Sequence, residues 1–171
     1  MKTLRNPALG NTLPIIGLIV VLLIIAACIA RGFVSPGNIL NLMRLAAPLG
    51  IICIGQTLVI LSAGVDLSVG SVAILINIVA ANLLQGEDAR NPMALLACLA
   101  VAVAVGLVNG IAVAWVRINP FVMTLAMSSV VQGAALVYSG GAAGGAASPL
   151  VKYLGVGTLF GMPVAMLIWI V

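Results

Sequence analysis

Residues Leu45–Leu84 read LAAPLGIICIGQTLVILSAGVDLSVGSVAILINIVAANLL. Two long apolar runs, Leu45 to Leu61 and Ser68 to Leu84, flank the join Ser62–Gly70, SAGVDLSVG. That join holds Asp66, the one carboxylate outside the pair Glu87 and Asp88. Barrel strands would alternate polar and apolar residues over roughly ten positions. These runs are continuous, so helices are predicted. The pattern therefore defines an all-α integral membrane protein, a polytopic transmembrane helix bundle.

Composition supports the same class. The chain is 64% hydrophobic and 6% charged, against about 25% charged residues in soluble domains. Too few polar groups exist to cover a water-exposed surface, so lipid must cover part of it. Outward from the join, span one runs from Leu13 to Ala30, about 27 Å of helix. Arg31–Asn38 breaks it, and Ile39–Arg44 reads as an amphipathic, interfacial start to the next helix. Pro48 falls near the start of span two, where a missing N–H costs least. After span three, Gln85–Pro92 is the most polar stretch and reads as an aqueous loop. Span four covers Met93–Val116, Arg117–Pro120 turns the chain, and span five covers Phe121–Ser139. Gly140–Gly145, GGAAGG, reads as a flexible loop. A mixed segment with Lys152 follows, then a sixth run from Met162. The expectation is five full spans and the start of a sixth, with residues 1–171 as a single transmembrane domain. A chain ending half a span into its last run reads as a fragment or a truncated reading frame.

Several function classes are excluded. The seven Lys and Arg residues are scattered singly, so nucleic acid is not an expected partner. There is no His, and Cys28, Cys53 and Cys98 lie in apolar runs as small hydrophobes. No metal cluster, catalytic triad or P-loop occurs, and no cofactor is expected. Ile25–Cys28 resembles a lipoprotein cleavage box, but the run is long enough to span and more spans follow. With an inside N-terminus the inner ends carry Lys2, Arg5 and Arg117, and the outer ends Arg31, Arg44, Arg90 and Lys152. Charge alone does not orient such a chain.

Polar residues inside the spans are the candidates for function. Gln56 and Thr57, Asn77, Asn109, then Ser128, Ser129 and Gln132 must find each other or a wet cavity. Singly, each reads as helix–helix glue; as a set they suit a pathway for a neutral polar solute. Span four carries a ridge of small residues, Ala102, Gly106, Gly110 and Ala114, which reads as an intrachain helix contact or a dimer seam. Asp66 reads first as a helix cap, accepting from N–H groups two and three positions on, with Gly64 and Gly70 permitting tight backbone. It reads second as a charge at a broken-helix site beside the pathway.

Gly55–Ser71, GQTLVILSAGVDLSVGS, resembles the signature stretch of the permease subunits of bacterial ABC importers for monosaccharides, the ribose-type family. Gly106–Gly110 (GLVNG) with Arg117–Leu125 (RINPFVMTL) is similar to that family's second block, and Asn38–Asn41 (NILN) also fits. The resemblance implies a permease of about ten spans in the bacterial inner membrane, N-terminus inside, of which this chain is the N-terminal part. It implies cytoplasmic ATPase subunits that hydrolyse ATP on a separate chain, a periplasmic sugar-binding protein, and a second permease copy or paralogue. Carried over residue by residue, it points to Gln56, Asp66 and Ser68 in the first block. In the second it points to Asn109, Pro120 and Thr124. None is catalytic. The pathway candidates are thus Gln56, Asn77, Asn109, Thr124 and Gln132. Two other classes remain open on sequence: a secondary transporter or channel, for which Asp66 is the sole available coupling residue in the spans, and a non-transporting remnant.

Overall fold

The computed structural model describes residues 7–142 and 144–171; Lys2 and Arg5, used above for orientation, lie outside them, as does Ala143 of the glycine-rich loop. The elements in order are α1 (Pro7–Ile29), α2 (Pro36–Leu61), α3 (Val69–Leu84), a 3₁₀ turn (Asp88–Arg90), α4 (Asn91–Ala114), α5 (Pro120–Ser139), α6 (Pro149–Val156), the two-residue strands β1 (Thr158–Leu159) and β2 (Met162–Pro163), and α7 (Val164–Ile170). The chain divides into two compact units, one ending at Met43 and one running from Arg44 to Val171. In the first, α1 stops at a turn in which Ser35 N donates to Gly32 O at 3.0 Å. Ser35 Oγ then accepts from Asn38 N at 3.3 Å, and the Asn38 amide donates back to Phe33 O at 2.7 Å.

The second unit is built on α3, which packs against both α4 and α5. Local chemistry sets the helix ends. Asn119 accepts from Phe121 N and Pro120 opens α5; Ser148 accepts from Val151 N and Pro149 opens α6. Proline costs nothing in a first turn, where its missing N–H would have had no partner. α5 stops at Gly140, in the left-handed conformation that glycine adopts without a steric penalty. The core is thin and made of small residues: Val79, Ala94, Ala112, Val131 and Ala135 are buried. On α4, Leu95, Leu99, Val103, Leu107 and Ile111 recur every fourth residue, and each is about half exposed or more. Such a stripe on one helix face is an apolar surface of the kind that lipid covers. Three helical stretches are long and apolar enough to cross a membrane: α2, Asp88–Ala114 and α5. Pro14–Ile29 of α1 and the whole of α3 are shorter apolar helices.

Three expectations change. First, the interfacial segment and span two are one continuous helix, so Pro48 lies inside α2 and not near its start. Its ring leaves the Arg44 carbonyl without the usual helical donor. Second, the Gly140–Gly145 loop is not free at its far end. Ala146 N donates to Ala81 O at 3.1 Å, and Gly86 N donates to Ala146 O at 2.9 Å. Gly145, at φ +80°, lies so close to the Ala81 carbonyl that a β-carbon there would collide with it. Third, a short antiparallel hairpin pairs Thr158 with Pro163 and Leu159 with Met162 ahead of the last helix. Its two turn residues, Phe160 and Gly161, both have positive φ, which matches the right-handed twist of the strands.

Candidate functional site

The site forms where the chain leaves α2 and begins α3. Ala63, at φ +58°, reverses the chain. Gly64 N then donates to Val59 O at 3.0 Å, an approach that leaves little room for a side chain at Gly64. The following residues run without helical bonding to Ser68. In an apolar environment their backbone groups need other partners. Side chains from two helices supply them. Gln56 of α2 donates from Nε2 to the Asp66 carbonyl at 2.7 Å. Thr124 of α5 accepts from Leu67 N at 3.1 Å. Its one hydroxyl proton is offered to Pro120 O at 2.8 Å, with Val65 O at 3.2 Å as the second acceptor.

Asp66 closes the turn. Its Oδ1 accepts from Ser68 N at 2.8 Å and from Ser68 Oγ at 2.6 Å. The bond two positions on therefore forms, and the one three positions on does not; the residue at the cap position itself is Ser68, whose side chain does not cap. Ser68 is buried, and its hydroxyl also accepts from Asn109 Nδ2 of α4 at 3.0 Å. A chain thus runs from the α4 amide through the Ser68 hydroxyl to the Asp66 carboxylate. Ser68 O in turn accepts from Ser71 Oγ at 2.7 Å. The other end of the Asn109 amide is not satisfied: Oδ1 is buried and has no partner. Asn109, Asp66, Gly64, Thr124, Gly106 and Gly110 border a cleft of about 350 Å³. A smaller cleft of about 100 Å³ lies between Asp66, Ser68, Asn109 and the Ala102–Gly106 stretch of α4.

The structure thereby brings Gln56, Asp66, Ser68, Asn109, Pro120 and Thr124 together and leaves two pathway candidates apart. Asn77 is exposed on α3 and borders neither cleft. Gln132 is exposed and donates to Ser128 Oγ of its own helix at 3.3 Å; it borders a separate groove of about 540 Å³ with Ile74, Ile78 and Ser139. Gly70 meets open space and does not serve the tight turn. Of the small-residue ridge, Gly106 and Gly110 make no intrachain helix contact. A β-carbon at Gly106 or Gly110 would touch nothing within 4 Å, because α4 turns its Asn109 and Ala112 side inward.

A second polar knot was not legible as such. Asp88 Oδ1 accepts from Leu150 N at 2.9 Å and from Asn91 Nδ2 at 3.1 Å. Ser148, fully buried, donates to Asn91 Oδ1 at 2.7 Å. The acid that read as a loop charge thus pins the start of α6 to the start of α4. Ser148–Pro149, a cap residue followed by proline, is the sequence signal that announces such a helix start. Among the described residues no cluster of metal-binding side chains occurs.

The family model described as "Branched-chain amino acid transport system / permease component" matches residues 38–171. This chain belongs to that permease family. Both the Asp66 turn and its partners on α4 and α5 lie within the matched part. The permease is 33% identical over 156 residues to the ribose import permease protein RbsC of Escherichia coli (strain K12), an alignment covering 89% of this chain and 48% of that protein. It is 37% identical over 138 residues to the galactofuranose transporter permease protein YtfT of the same strain, covering 81% and 39%. It is 36% identical over 129 residues to the ribose import permease protein RbsC of Bacillus subtilis (strain 168), covering 75% and 39%. The permease spans about half the length, or less, of these curated relatives. No solved structure matches it. Family and apolar helices together make it an integral membrane protein.

Proposed function

We propose that the chain forms part of the translocation pathway of a monosaccharide importer in the bacterial inner membrane. The observation that carries this reading is the convergence of Gln56, Asp66, Ser68, Asn109 and Thr124 on an interrupted helix beside a 350 Å³ cleft. Irregular backbone at membrane depth is tolerated where it lines a cavity, and amide and hydroxyl groups suit the hydroxyls of a neutral sugar. The printed names of the relatives, import permeases for ribose and galactofuranose, supply the substrate class. In this reading α1 to α5 are five spans and α7 lies at the start of a sixth. Separate cytoplasmic ATPase subunits drive alternating access, a periplasmic sugar-binding protein delivers the sugar, and a second permease copy or paralogue completes the pathway.

The test is uptake of labelled ribose, galactose and fructose by cells lacking their own sugar importers. The cells carry the permease gene together with genes for cytoplasmic ATPase subunits and a periplasmic sugar-binding protein. Uptake that stops when the ATPase is inactivated, and persists when ion gradients are dissipated, supports the importer. Uptake with the opposite dependence refutes it in favour of an ion-coupled carrier.

A further inference from the structure

Among the described residues, the Asn109 amide is the group of the cluster that buries an atom without a hydrogen-bond partner. Its Nδ2 donates to Ser68, while Oδ1 is sealed from solvent without a donor. Such an acceptor destabilises the packing around it until a donor arrives. The groups nearest in the chain of bonds offer none. Ser68 Oγ spends its single proton on Asp66 Oδ1, and Asp66 is itself an acceptor, with no donor among the described residues bonded to Oδ2. Asn109 and Asp66 both border the 350 Å³ cleft and the 100 Å³ cleft. The side of α4 next to Asn109 is glycine at 106 and 110, with nothing packed on either. An approaching molecule therefore meets no side chain at 106 or 110, while Val113 borders the larger cleft and Val105 the smaller.

We propose that Asn109 Oδ1 and the Asp66 carboxylate form a two-acceptor subsite for an O–H donor, filled by water at rest and by a hydroxyl of the sugar in transit. The second half rests on the importer reading. Water and a sugar hydroxyl share the needed chemistry, a donor small enough for the clefts.

The experiment combines density and kinetics on the assembled importer in lipid, with ribose as the probe. Density for the wild-type protein is expected to show an ordered water bonded to Asn109 Oδ1 without ribose, and a ribose hydroxyl in its place with ribose and a trapped ATPase. Asn109→Leu, which keeps the volume and removes both amide groups, is expected to lower ribose turnover by about ten-fold, roughly one hydrogen bond of transition-state stabilisation. KM, set by delivery from the binding protein, stays unchanged. Asp66→Asn, which keeps one acceptor, is expected to fall between Asn109→Leu and wild type. A dry Oδ1 in both densities overturns the subsite. Water there in both states, with wild-type turnover in Asn109→Leu, overturns the sugar half. If the wild type moves no sugar while Oδ1 holds water, the importer reading fails and the water site stands.

Discussion

Thr124 holds the Asp66 turn by a single oxygen. Thr124→Val keeps the shape and removes the acceptor for Leu67 N and the donor to Pro120 and Val65. Because Thr124 is 4% exposed, water cannot replace those bonds. The expected loss is about 1–3 kcal/mol of stability, read as a lowered midpoint in denaturant and faster exchange of the Leu67 amide. Unchanged exchange would show that Leu67 does not depend on Thr124. Asp66 and Asn109 were legible as candidates because each interrupts or lies in an apolar run, where a polar group must find a partner; Thr124 was singled out only through the family resemblance. What sequence could not supply was facing. Asn77 and Gln132 sit in equally apolar runs and read alike, yet the first is exposed on α3 and the second bonds within its own helix. Nor could sequence show that Ser68, not Asp66, is the relay to α4: a serine at a helix start reads as a cap, and this one turns its hydroxyl sideways.

At the scale of elements, breaks were legible and joints were not. Pro92 and Pro120 mark helix starts because proline is tolerated in a first turn and little elsewhere in a helix, whereas the start of α6 at Pro149 was read only as a mixed segment. Pro48 followed the same logic and misled: Ile39–Arg44 announces the helix, but its reading as an interfacial lead-in leaves Pro48 near the start of the span, whereas α2 runs unbroken from Pro36. The joint between α2 and α7 had no signal. Trp169 lays its indole across Gly50, where a β-carbon would collide with the ring. Gly50→Val should therefore displace Trp169. In a Trp115→Phe background, where Trp169 is the remaining tryptophan, acrylamide quenching is expected to rise; equal quenching would remove the contact. The joint between the α4 start and α6 turns on Asp88. Asp88→Ala strips the acceptor from Leu150 N and from Asn91 Nδ2. Exchange of the Leu150 amide should quicken several-fold while α5 amides keep their rates, whereas equal quickening in both would signify general unfolding.

For the whole molecule, the class was fixed by composition, since so few charges cannot solvate a surface. The core that results is unlike that of a soluble protein: mostly alanine and valine inside, and most of the leucine and isoleucine outside. Its polar bonds are concentrated where helices stop, so the molecule's specificity resides in its interruptions. One of them has a bearing on the lipid itself. α3 has 16 residues, about 24 Å of helix, against a hydrocarbon layer of about 30 Å. If α3 crosses, its rigid part is short by roughly one turn, and the Asp66 end lies below the headgroups unless the bilayer thins there. Mismatch of this kind costs a fraction of a kcal/mol per Å. The permease should then be more stable in short-chain than in long-chain phosphatidylcholine, a dependence read from thermal unfolding across a chain-length series. A bilayer that must dimple to meet a short helix also forms a funnel, bringing headgroup water within reach of the Asp66 carboxylate.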